Sequence, residues 1–327
     1  MAINRASIAK ELLPGLNAVF GLEYGEVDNE HEPLFEVENS DRAFEEEVLF
    51  TGFGEAPVKQ EGAAVVFDDA SESYTARYTN ETIALAFAIT EEAMEDNLYD
   101  SFAKLRAKGL ARAMASTKQA KAADIYNFGF SAAAANQIGD GVAFFSNAHP
   151  TVSAGNQSNT ATGADLSEGS LENAITLVQK YTDDRGILIG SSPVSLHVPV
   201  DLIFTADQVL GSPGSTNILA QTDAAGNTIG FPASAAKDTA VLANRINAVR
   251  HMGLIPEGFY SNRRFTDTDA WFLKTDVPNG TKMFVRTPLQ TKMEPDFDTG
   301  NLRFKARERY SFGVSDWRGW FGNPGGY

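Results

Sequence analysis

The chain has 327 residues, of which 43 are acidic and 27 basic, so its net charge is −16, and it contains no cysteine. This length suits two domains of ordinary size, or one large domain with an insertion. The absence of cysteine excludes disulfide bonds, thiolate zinc sites and cysteine nucleophiles. The acidity argues against general affinity for nucleic acids or anionic membranes, because both attract basic surfaces.

Hydrophobic residues make up 43% of the chain, which is enough for a packed core. No apolar run approaches the roughly 18 residues of a membrane-spanning helix. The N-terminus also lacks an apolar stretch of signal-peptide length, so we expect cytoplasmic synthesis and no membrane partner. The charge is uneven, since residues 1–60 carry 13 acids and 4 bases whereas residues 285–327 carry 5 acids and 7 bases. These two regions could meet within one subunit or between copies.

The first 50 residues are predicted to form a short helix followed by an acidic arm. The helix lies within residues 1–20 and is expected to be interrupted at Pro14-Gly15. Acids then run from Glu23 to Glu47, with apolar residues between them. A purely solvated tail would lack those apolar residues, which favours an extended arm lying on another surface. An ordinary acidic surface segment is the alternative.

Residues 48–89 are predicted to form a long β-hairpin. A strand at 48–50 leads into a stretch rich in glycine and proline at 52–62, and a further strand is expected at Ala63–Phe67. Apolar residues then alternate with smaller ones up to Ile83–Ile89, which is the period of a strand. Because an isolated hairpin is at best marginally stable, its tip is expected to pack on a neighbour.

A single helix is predicted over residues 90–130, with Thr90 as its N-cap. Acids precede bases along it, as the helix dipole favours. At 1.5 Å per residue it would be about 60 Å long, the length of a strut. A run of alanines from Ala107 to Ala123 offers a face for close packing. The predicted apolar stripe comprises Met94, Leu98, Phe102 and Leu105.

The rest of the chain is predicted to alternate loops with short elements. Two loops rich in small and polar residues are expected at 131–165 and 211–238. Ser167 is expected to cap a helix, and a further helix is expected at about 200–210. The predicted strands are Val194–Val198, Ala270–Leu273, Met283–Val285 and Leu302–Val314.

No motif for catalysis or metal binding is present, so no catalytic residue, metal or cofactor is predicted and the chain is not expected to be an enzyme. The histidines are scattered, and His149 has no partner in the sequence that would make it a base. Asp183-Asp184 is read as a pair of ordinary loop carboxylates rather than a cation site. Trp317, Trp320 and Phe321 are expected to be docked rather than exposed.

A regular basic row marks the strand at Leu302–Val314, where alternate residues 303, 305, 307 and 309 are basic. Contact with acidic groups on another segment or subunit is the favoured interpretation. Direct contact with DNA, independent of its sequence, and an ordinary solvated face are the alternatives.

The order of these elements, together with four stretches of sequence, resembles the major capsid proteins of tailed bacteriophages of the Hong Kong 97 type, and among them the Mu-like major head subunits. The likeness spans nearly the whole chain, and its motifs are structural rather than catalytic. The four stretches are SFAKLRAKGLARAMASTKQAKAADIYN, DGVAFFSNAHP, LHVPVDLIFTADQVL and FDTGNLRFKARERYSFGVSDWRG.

This resemblance implies an α+β fold of the Hong Kong 97 type. Its parts would be an N-arm, an extended E-loop, a P-domain with a long spine helix, and an A-domain. The implied boundaries are 1–47 for the N-arm, 48–83 for the E-loop, 84–136 for the P-domain with its spine helix, 137–278 for the A-domain and 279–327 for the β-rich C-terminal part of the P-domain.

The resemblance also implies a structural major capsid protein that self-assembles into an icosahedral shell of hexamers and pentamers. The shell would enclose packaged double-stranded DNA without sequence-specific binding, as the virion capsid, assembled in the bacterial host cytoplasm. Expected partners are further copies, a scaffolding protein, a portal and a decoration or cement protein. The alternatives are an encapsulin-like shell with enzyme cargo, and a soluble enzyme or ligand-binding protein.

Contacts between subunits are expected from the acidic arm, the hairpin and the C-terminal region. Some members of the family join a lysine of the E-loop to a neighbour by an isopeptide bond, and Lys59 near the hairpin tip is the residue to consider. The candidate contact residues are Glu45, Glu46, Glu47, Lys59, Arg303, Lys305, Arg307, Arg309, Trp317 and Arg318.

Overall fold

The computed structural model describes residues 5–62, 64–90, 92, 99–212, 247–296 and 299–326. The chain forms two compact units. Unit 1 comprises residues 1–46, 77–125 and 282–313, and unit 2 comprises residues 47–76, 126–281 and 314–327. Both contain helices and strands, so the predicted α+β class is confirmed.

The described elements are, in chain order, α1 (Arg5–Gly25), β1 (Glu36–Asn39), β2 (Phe44–Phe50), β3 (Glu72–Thr79), β4 (Glu81–Ile89), α2 (Tyr99–Asn127), α3 (Glu168–Val178), β5 (Pro193–Pro199), α4 (Ile203–Gly211), α5 (Ala248–Met252), β6 (Phe259–Asn262), β7 (Trp271–Thr275), β8 (Thr281–Pro295), β9 (Leu302–Val314) and β10 (Trp320–Asn323). Short 3₁₀ turns at Ala134–Asn136, Val200–Leu202 and Trp317–Gly319 lie between them.

Helix α1 is longer than predicted, because it continues through Pro14-Gly15 to Gly25. A proline inside a helix removes a hydrogen bond and costs about 3 kcal/mol. Burial elsewhere in the helix offsets this, since Leu16 and Phe20 are each only 2% exposed in the core of unit 1. Glu23, which the sequence predicts to lie in an extended arm, is therefore part of a helix.

Helix α2 is the predicted strut, with 29 residues and a length of about 43 Å. Its buried face is the predicted alanine face, and this prediction is confirmed. Leu105, in contrast, is 66% exposed, so its place in an apolar stripe was wrong. Residues 91 and 93–98, with Met94 and Leu98, and the side chain of Phe102 lie outside what is described. The fully or nearly fully buried residues of this face include Ala103, Ala107, Ala111, Met114 and Ala115.

Unit 1 contains a four-stranded sheet in the order β1-β8-β9-β4. Strand β1 runs parallel to β8, and β4 runs antiparallel to β9 with Leu85 opposite Ala306. The inner face of β9 contributes Leu302, Phe304 and Ala306 to the core, where they meet α1 and α2. The predicted strand at Leu302–Val314 is confirmed at both ends.

Unit 2 contains a second four-stranded sheet in the order β10-β7-β5-β6. Aromatic rings pack beside it, and the ring of Tyr126 lies 4.9 Å from that of Trp320 and 5.4 Å from that of Phe272. Ser167 caps α3 with a capping box, as predicted. The predicted strand at 194–198 and helix at 200–210 also form. Most of the predicted loop at 211–238 lies outside the described residues.

The hairpin forms as a two-stranded sheet of β2 and β3. The strand predicted at Ala63–Phe67 does not form at residues 64–67, which have no regular secondary structure. Its Val-Val-Phe sequence has strand propensity, but a strand also needs a neighbour that supplies backbone hydrogen bonds.

Candidate assembly surfaces

Hydrogen bonds from both backbone and side-chain groups hold together the two ends of the long connection between β2 and β3. The Thr51 backbone N–H donates to the Ser71 carbonyl at 2.8 Å, and the Ser71 N–H donates to Thr51 Oγ1 at 2.9 Å. Further along, the Gly54 N–H donates to Asp68 Oδ2 at 2.7 Å. Arg185 donates from Nη2 to Asp68 Oδ1 at 3.2 Å. The Gly54 hydrogen bond, assisted by Arg185, lowers the pKa of Asp68.

The hairpin also exposes several large apolar side chains to solvent. Soluble monomers rarely leave such side chains exposed in a group, and a group of this kind marks an interaction site. Lys59 lies in the same connection and is also exposed. The exposed apolar side chains are Phe50 at 65%, Phe53 at 63%, Val58 at 95%, Val65 at 63%, Val66 at 67% and Phe67 at 94%.

The three acids proposed as subunit contacts all bind groups of their own chain. Glu45 Oε1 accepts hydrogen bonds from Ser40 Oγ at 2.8 Å and from the N–H groups of residues 41 and 42. The Ser40 bond is the main reason that the pKa of Glu45 is lowered. Glu46 lies 3.9 Å from the exposed Arg77 guanidinium. Glu47 accepts a hydrogen bond from Ser315 Oγ.

Glu23 shows the same pattern at the end of α1. Its carboxylate is 4% exposed and pairs with Lys108 Nζ at 3.1 Å and with Arg112 Nε at 2.5 Å, both on α2. The hydrogen bond from Lys108, with that from Arg112, lowers the pKa of Glu23. Part of the acidity of the first 60 residues therefore has its counter-charge inside unit 1.

The predicted row of basic residues does lie on one face of β9, and three of its four side chains are exposed to solvent. Arg303, Lys305 and Arg307 are exposed. Arg303 pairs with Asp296 at 2.6 Å. Directly across from these three cations, on β4, lie exposed residues with short side chains, Ala88, Ala86 and Ala84 respectively. The outer face of this sheet is thus a strip of alanines beside a row of cations.

Arg309 is the exception in that row, because it is only partly exposed. The inner neighbour Glu308, which interrupts the apolar side of β9, is 1% exposed. Its carboxylate pairs with Lys118 Nζ at 2.7 Å, and Lys118 also donates to Tyr24 Oη at 2.5 Å. Burial raises the pKa of Glu308, and Lys118 opposes that rise. A buried polar junction thus joins α1, α2 and β9.

Trp317 and Arg318 are poor candidates for subunit contacts, contrary to the prediction. They are 1% and 2% exposed. Arg318 pairs with Asp184 at 2.5 Å and with Asp316 at 3.4 Å, and its Nε donates to the Thr182 carbonyl. Both side chains make their contacts inside unit 2. The expectation that Trp317, Trp320 and Phe321 are docked is confirmed.

His149 has partners that the sequence did not reveal. Its Nδ1 lies 2.6 Å from Asp140 Oδ2, its Nε2 lies 3.0 Å from Asn159 Oδ1, and its ring stacks on Trp317 at 4.4 Å. All are buried, and no nucleophile belongs to this set of contacts. The nine-residue gap to Asp140 is crossed by a loop, which no regular pattern encodes.

Across the described ranges, no three histidine, aspartate or glutamate side chains converge in a way that could hold a metal ion. In the same part of the chain, no helix is both long and apolar enough to cross a membrane. The described residues do present an apolar hairpin, a strip of alanines on β4 and a row of cations on β9.

Comparison with known proteins shows which family the chain belongs to. The family described as phage capsid protein matches residues 73–323, from β3 to β10. The chain belongs to the phage capsid protein family. It is a structural shell protein of a virion capsid, and its fold is of the Hong Kong 97 type. The finer likeness to Mu-like head subunits stays a prediction.

Solved structures with a similar fold include a virus-like particle from Pyrococcus furiosus, with a TM-score of 0.50 and 9% identity over 96% of this chain and 99% of that one. The procapsid of bacteriophage JBD30 is similar at a TM-score of 0.47 and 14% identity, over 98% and 76% of the two chains. The capsid of a native GTA particle gives 0.48 and 14%, over 91% and 90%. No curated protein matches the sequence.

Proposed function

We propose that this capsid protein is the major subunit of an icosahedral shell, that it self-assembles into hexamers and pentamers, and that the shell encloses packaged double-stranded DNA. The observation that carries this proposal is the family match over residues 73–323. Its partners would be further copies of the chain, a scaffolding protein, a portal and a decoration or cement protein. Assembly would take place in the cytoplasm of a bacterial host.

The four-part organisation belongs to the same proposal. Residues 1–47 would be the N-arm, 48–83 the E-loop, 84–136 and 279–327 the P-domain, and 137–278 the A-domain. Unit 1 unites much of both P-domain segments with the first 46 residues, which supports pairing those segments. Residues 314–327, which the proposal assigns to the P-domain, fall in unit 2 together with most of the A-domain segment.

The hairpin would carry contact between subunits. Its exposed phenylalanines and valines lose contact with water when they are covered, and about 25 cal/mol is gained per Å² of apolar surface so buried. Lys59 lies among them and would be covered with them. A contact repeated in every copy of a closed shell gives a large total stabilisation without disulfide bonds.

The cation row would receive acidic groups of another copy. Arg303, Lys305 and Arg307 are exposed, and Arg309 lies at the end of the row. The adjacent alanine strip favours a protein partner over DNA, because phosphates gain nothing from an apolar strip whereas side chains of a neighbour do. Glu46 has an exposed ion pair with Arg77 that a neighbour could exchange. Glu45 and Glu47 are better explained by contacts within the chain.

Electron microscopy and sedimentation of the purified full chain test this function. We expect closed shells or rings of six and five subunits at high protein concentration. A chain that stays monomeric under all conditions of salt, pH and concentration would refute the proposal. Shells that contain an enzyme, isolated from the natural source, would instead identify an encapsulin-like compartment, whereas shells with DNA would support the viral role.

A further inference from the structure

The turn before β8 contains an asparagine with an uncommon backbone conformation. Among the described residues, Asn279 is the sole residue other than glycine with a positive φ, at 60°. It is exposed and follows Pro278 in the turn. Proline and then asparagine is the order of a type II turn, whose third residue needs a positive φ. Asn279 and Gly280 also form the one Asn-Gly sequence of the chain.

An asparagine that precedes glycine can react with its own backbone. The nitrogen of the glycine attacks the side-chain carbon Cγ, a C–N bond forms, and ammonia leaves with the proton of that nitrogen. The product is a five-membered succinimide ring. Water then opens the ring at one of its two carbonyl groups and leaves aspartate or isoaspartate. Glycine allows this attack because it has no side chain to obstruct a close approach to its backbone.

Both reacting groups are available in this turn. Among the described residues, the Gly280 N–H donates no backbone hydrogen bond, and the carboxamide of Asn279 takes part in no hydrogen bond. Neither group therefore has to break a hydrogen bond before it reacts. Ring closure rotates the bond from Cα to the backbone carbonyl carbon and leaves the N–Cα bond free, so the positive φ of Asn279 can be kept.

The fold also activates the attacking nitrogen. The Asp316 N–H donates to the Asn279 carbonyl at 2.9 Å. Attack requires that the Gly280 nitrogen lose its proton, and the negative charge that develops is shared with the Asn279 carbonyl oxygen of the same peptide group. A donor already aimed at that oxygen stabilises the charge, as donors do in an oxyanion hole.

We propose that Asn279 is a site of spontaneous deamidation in the folded protein, and that water is the sole co-reactant. The product carries one additional negative charge in an exposed turn. Isoaspartate also lengthens the backbone by one methylene group beside Gly280, where a Cβ would already lie 3.1 Å from the Gly319 Cα. The isoaspartate form should therefore fit the turn less well than the aspartate form. This inference does not depend on the proposed function.

The first test compares asparagines within one chain. The purified full chain is kept in mildly alkaline buffer, and samples are digested briefly with trypsin and analysed by mass spectrometry. The tryptic peptide 275–282 contains Asn279 as its only asparagine. We expect Asn279 to deamidate at least ten-fold faster than Asn147 and Asn156, which are exposed but precede alanine and glutamine. A smaller difference would overturn the proposal.

The second test asks whether the folded turn protects the asparagine. A synthetic peptide of residues 275–282 serves as the unstructured reference in the same buffer. We expect the deamidation rate of Asn279 in the folded full chain to be at least one fifth of the rate in the peptide. A lower rate would mean that the fold prevents ring closure, and the proposal would be wrong.

The third test detects the succinimide itself. Hydroxylamine attacks this ring and cleaves the chain there, so the native protein should give the fragments 1–279 and 280–327. The matched control is Asn279→Gly, which tolerates the positive φ but has no side-chain amide. It should give neither fragment. Cleavage of both proteins alike, or of neither, would overturn the assignment.

Discussion

At the scale of single residues, the buried charges of this capsid protein act inside their own unit. Lys118 is 14% exposed in its side chain, Glu308 is 2%, and the two are 2.7 Å apart. Removing one partner of a buried ion pair leaves the other charge without compensation, which costs far more than the intact pair contributes. Three residues further along the same helix, Lys121 forms an exposed ion pair with Glu81, which lies on β4.

This contrast gives a matched prediction. Lys118→Met should lower the free energy of unfolding of the unassembled subunit by about 3–5 kcal/mol. Lys121→Met should change it by less than about 1 kcal/mol, because exposed pairs contribute little. Urea denaturation followed by circular dichroism measures both. The double variant Lys118→Met with Glu308→Leu should recover most of the loss, and equal effects at positions 118 and 121 would contradict the assignment.

A second residue-scale prediction concerns pH. Burial, with a contribution from Lys274, lowers the pKa of His197 from 6.5 to about 3, and the imidazole lies 3.0 Å from Ser195 Oγ. Above pH 6.5 both the folded and the unfolded chain hold this histidine neutral. Below it, only the unfolded chain takes up a proton until about pH 3. His197 therefore makes the free energy of unfolding fall as the pH drops through that range.

The variant His197→Asn should remove that contribution. Relative to the unmodified protein, the slope of unfolding free energy against pH between 6 and 4 should decrease by about 1.4 kcal/mol per pH unit. Denaturant unfolding at several pH values measures it. His251→Asn, at an exposed position, controls for the loss of one imidazole. An unchanged slope in His197→Asn would show that this histidine is protonated in the fold.

At the scale of elements, glycines fall into two classes that the sequence cannot distinguish. Gly109 lies in the exposed part of α2, and a Cβ there would meet nothing within 4 Å. Gly319 lies where two backbones touch, and a Cβ there would come within 2.5 Å of the Gly280 Cα. Gly109 lowers helix stability without a steric reason for it. Gly319 allows the 3₁₀ turn before β10 to approach the turn before β8.

Opposite outcomes are therefore expected from the same substitution. Gly109→Ala should raise the free energy of unfolding by about 1 kcal/mol through helix propensity. Gly319→Ala should lower it by about 1–3 kcal/mol, because backbone atoms must move apart. Thermal unfolding of the subunit compares them. A stabilising effect at position 319 would mean that the close approach to Gly280 is not required.

At the scale of the whole molecule, the charged side chains fall into two groups that the net charge does not separate. Some are bound to other groups of the same chain, and others are exposed to solvent. Glu23, Glu45 and Glu47 are bound within the chain, whereas the cations of β9 face outwards. Assembly should therefore depend on the cation row more than on those acids. Subunit folding should show the opposite dependence.

Lys305→Glu tests this division. It should leave the unfolding free energy unchanged within about 0.5 kcal/mol, since the side chain is exposed, and should lower shell yield strongly. Lys180→Glu makes the same charge change at an exposed position on unit 2 and should leave assembly intact. Light scattering and electron microscopy give the yields. Equal yields from both variants would remove the cation row from the interface.

Periodicity in the sequence determined the elements that make their own contacts. The strand at Leu302–Val314, the hairpin and the Ser167 cap follow from alternation and local hydrogen bonding, which neighbouring residues encode. The order of these elements was also enough to indicate the capsid family. The exposed cations of β9 followed from the same alternation, because side chains on a strand point to opposite faces.

Only the tertiary structure decided which predicted surfaces stay exposed. Trp317 and Arg318 are buried because Asp184 and His149, both more than 130 residues away, close around them. Helix α1 continues through Pro14 because burial of Leu16 and Phe20 outweighs the local break. Residues 64–67 have strand propensity but form no strand, because a strand needs a neighbour and none of the described residues pairs with them. Long-range packing and pairing, which no local pattern encodes, make these choices.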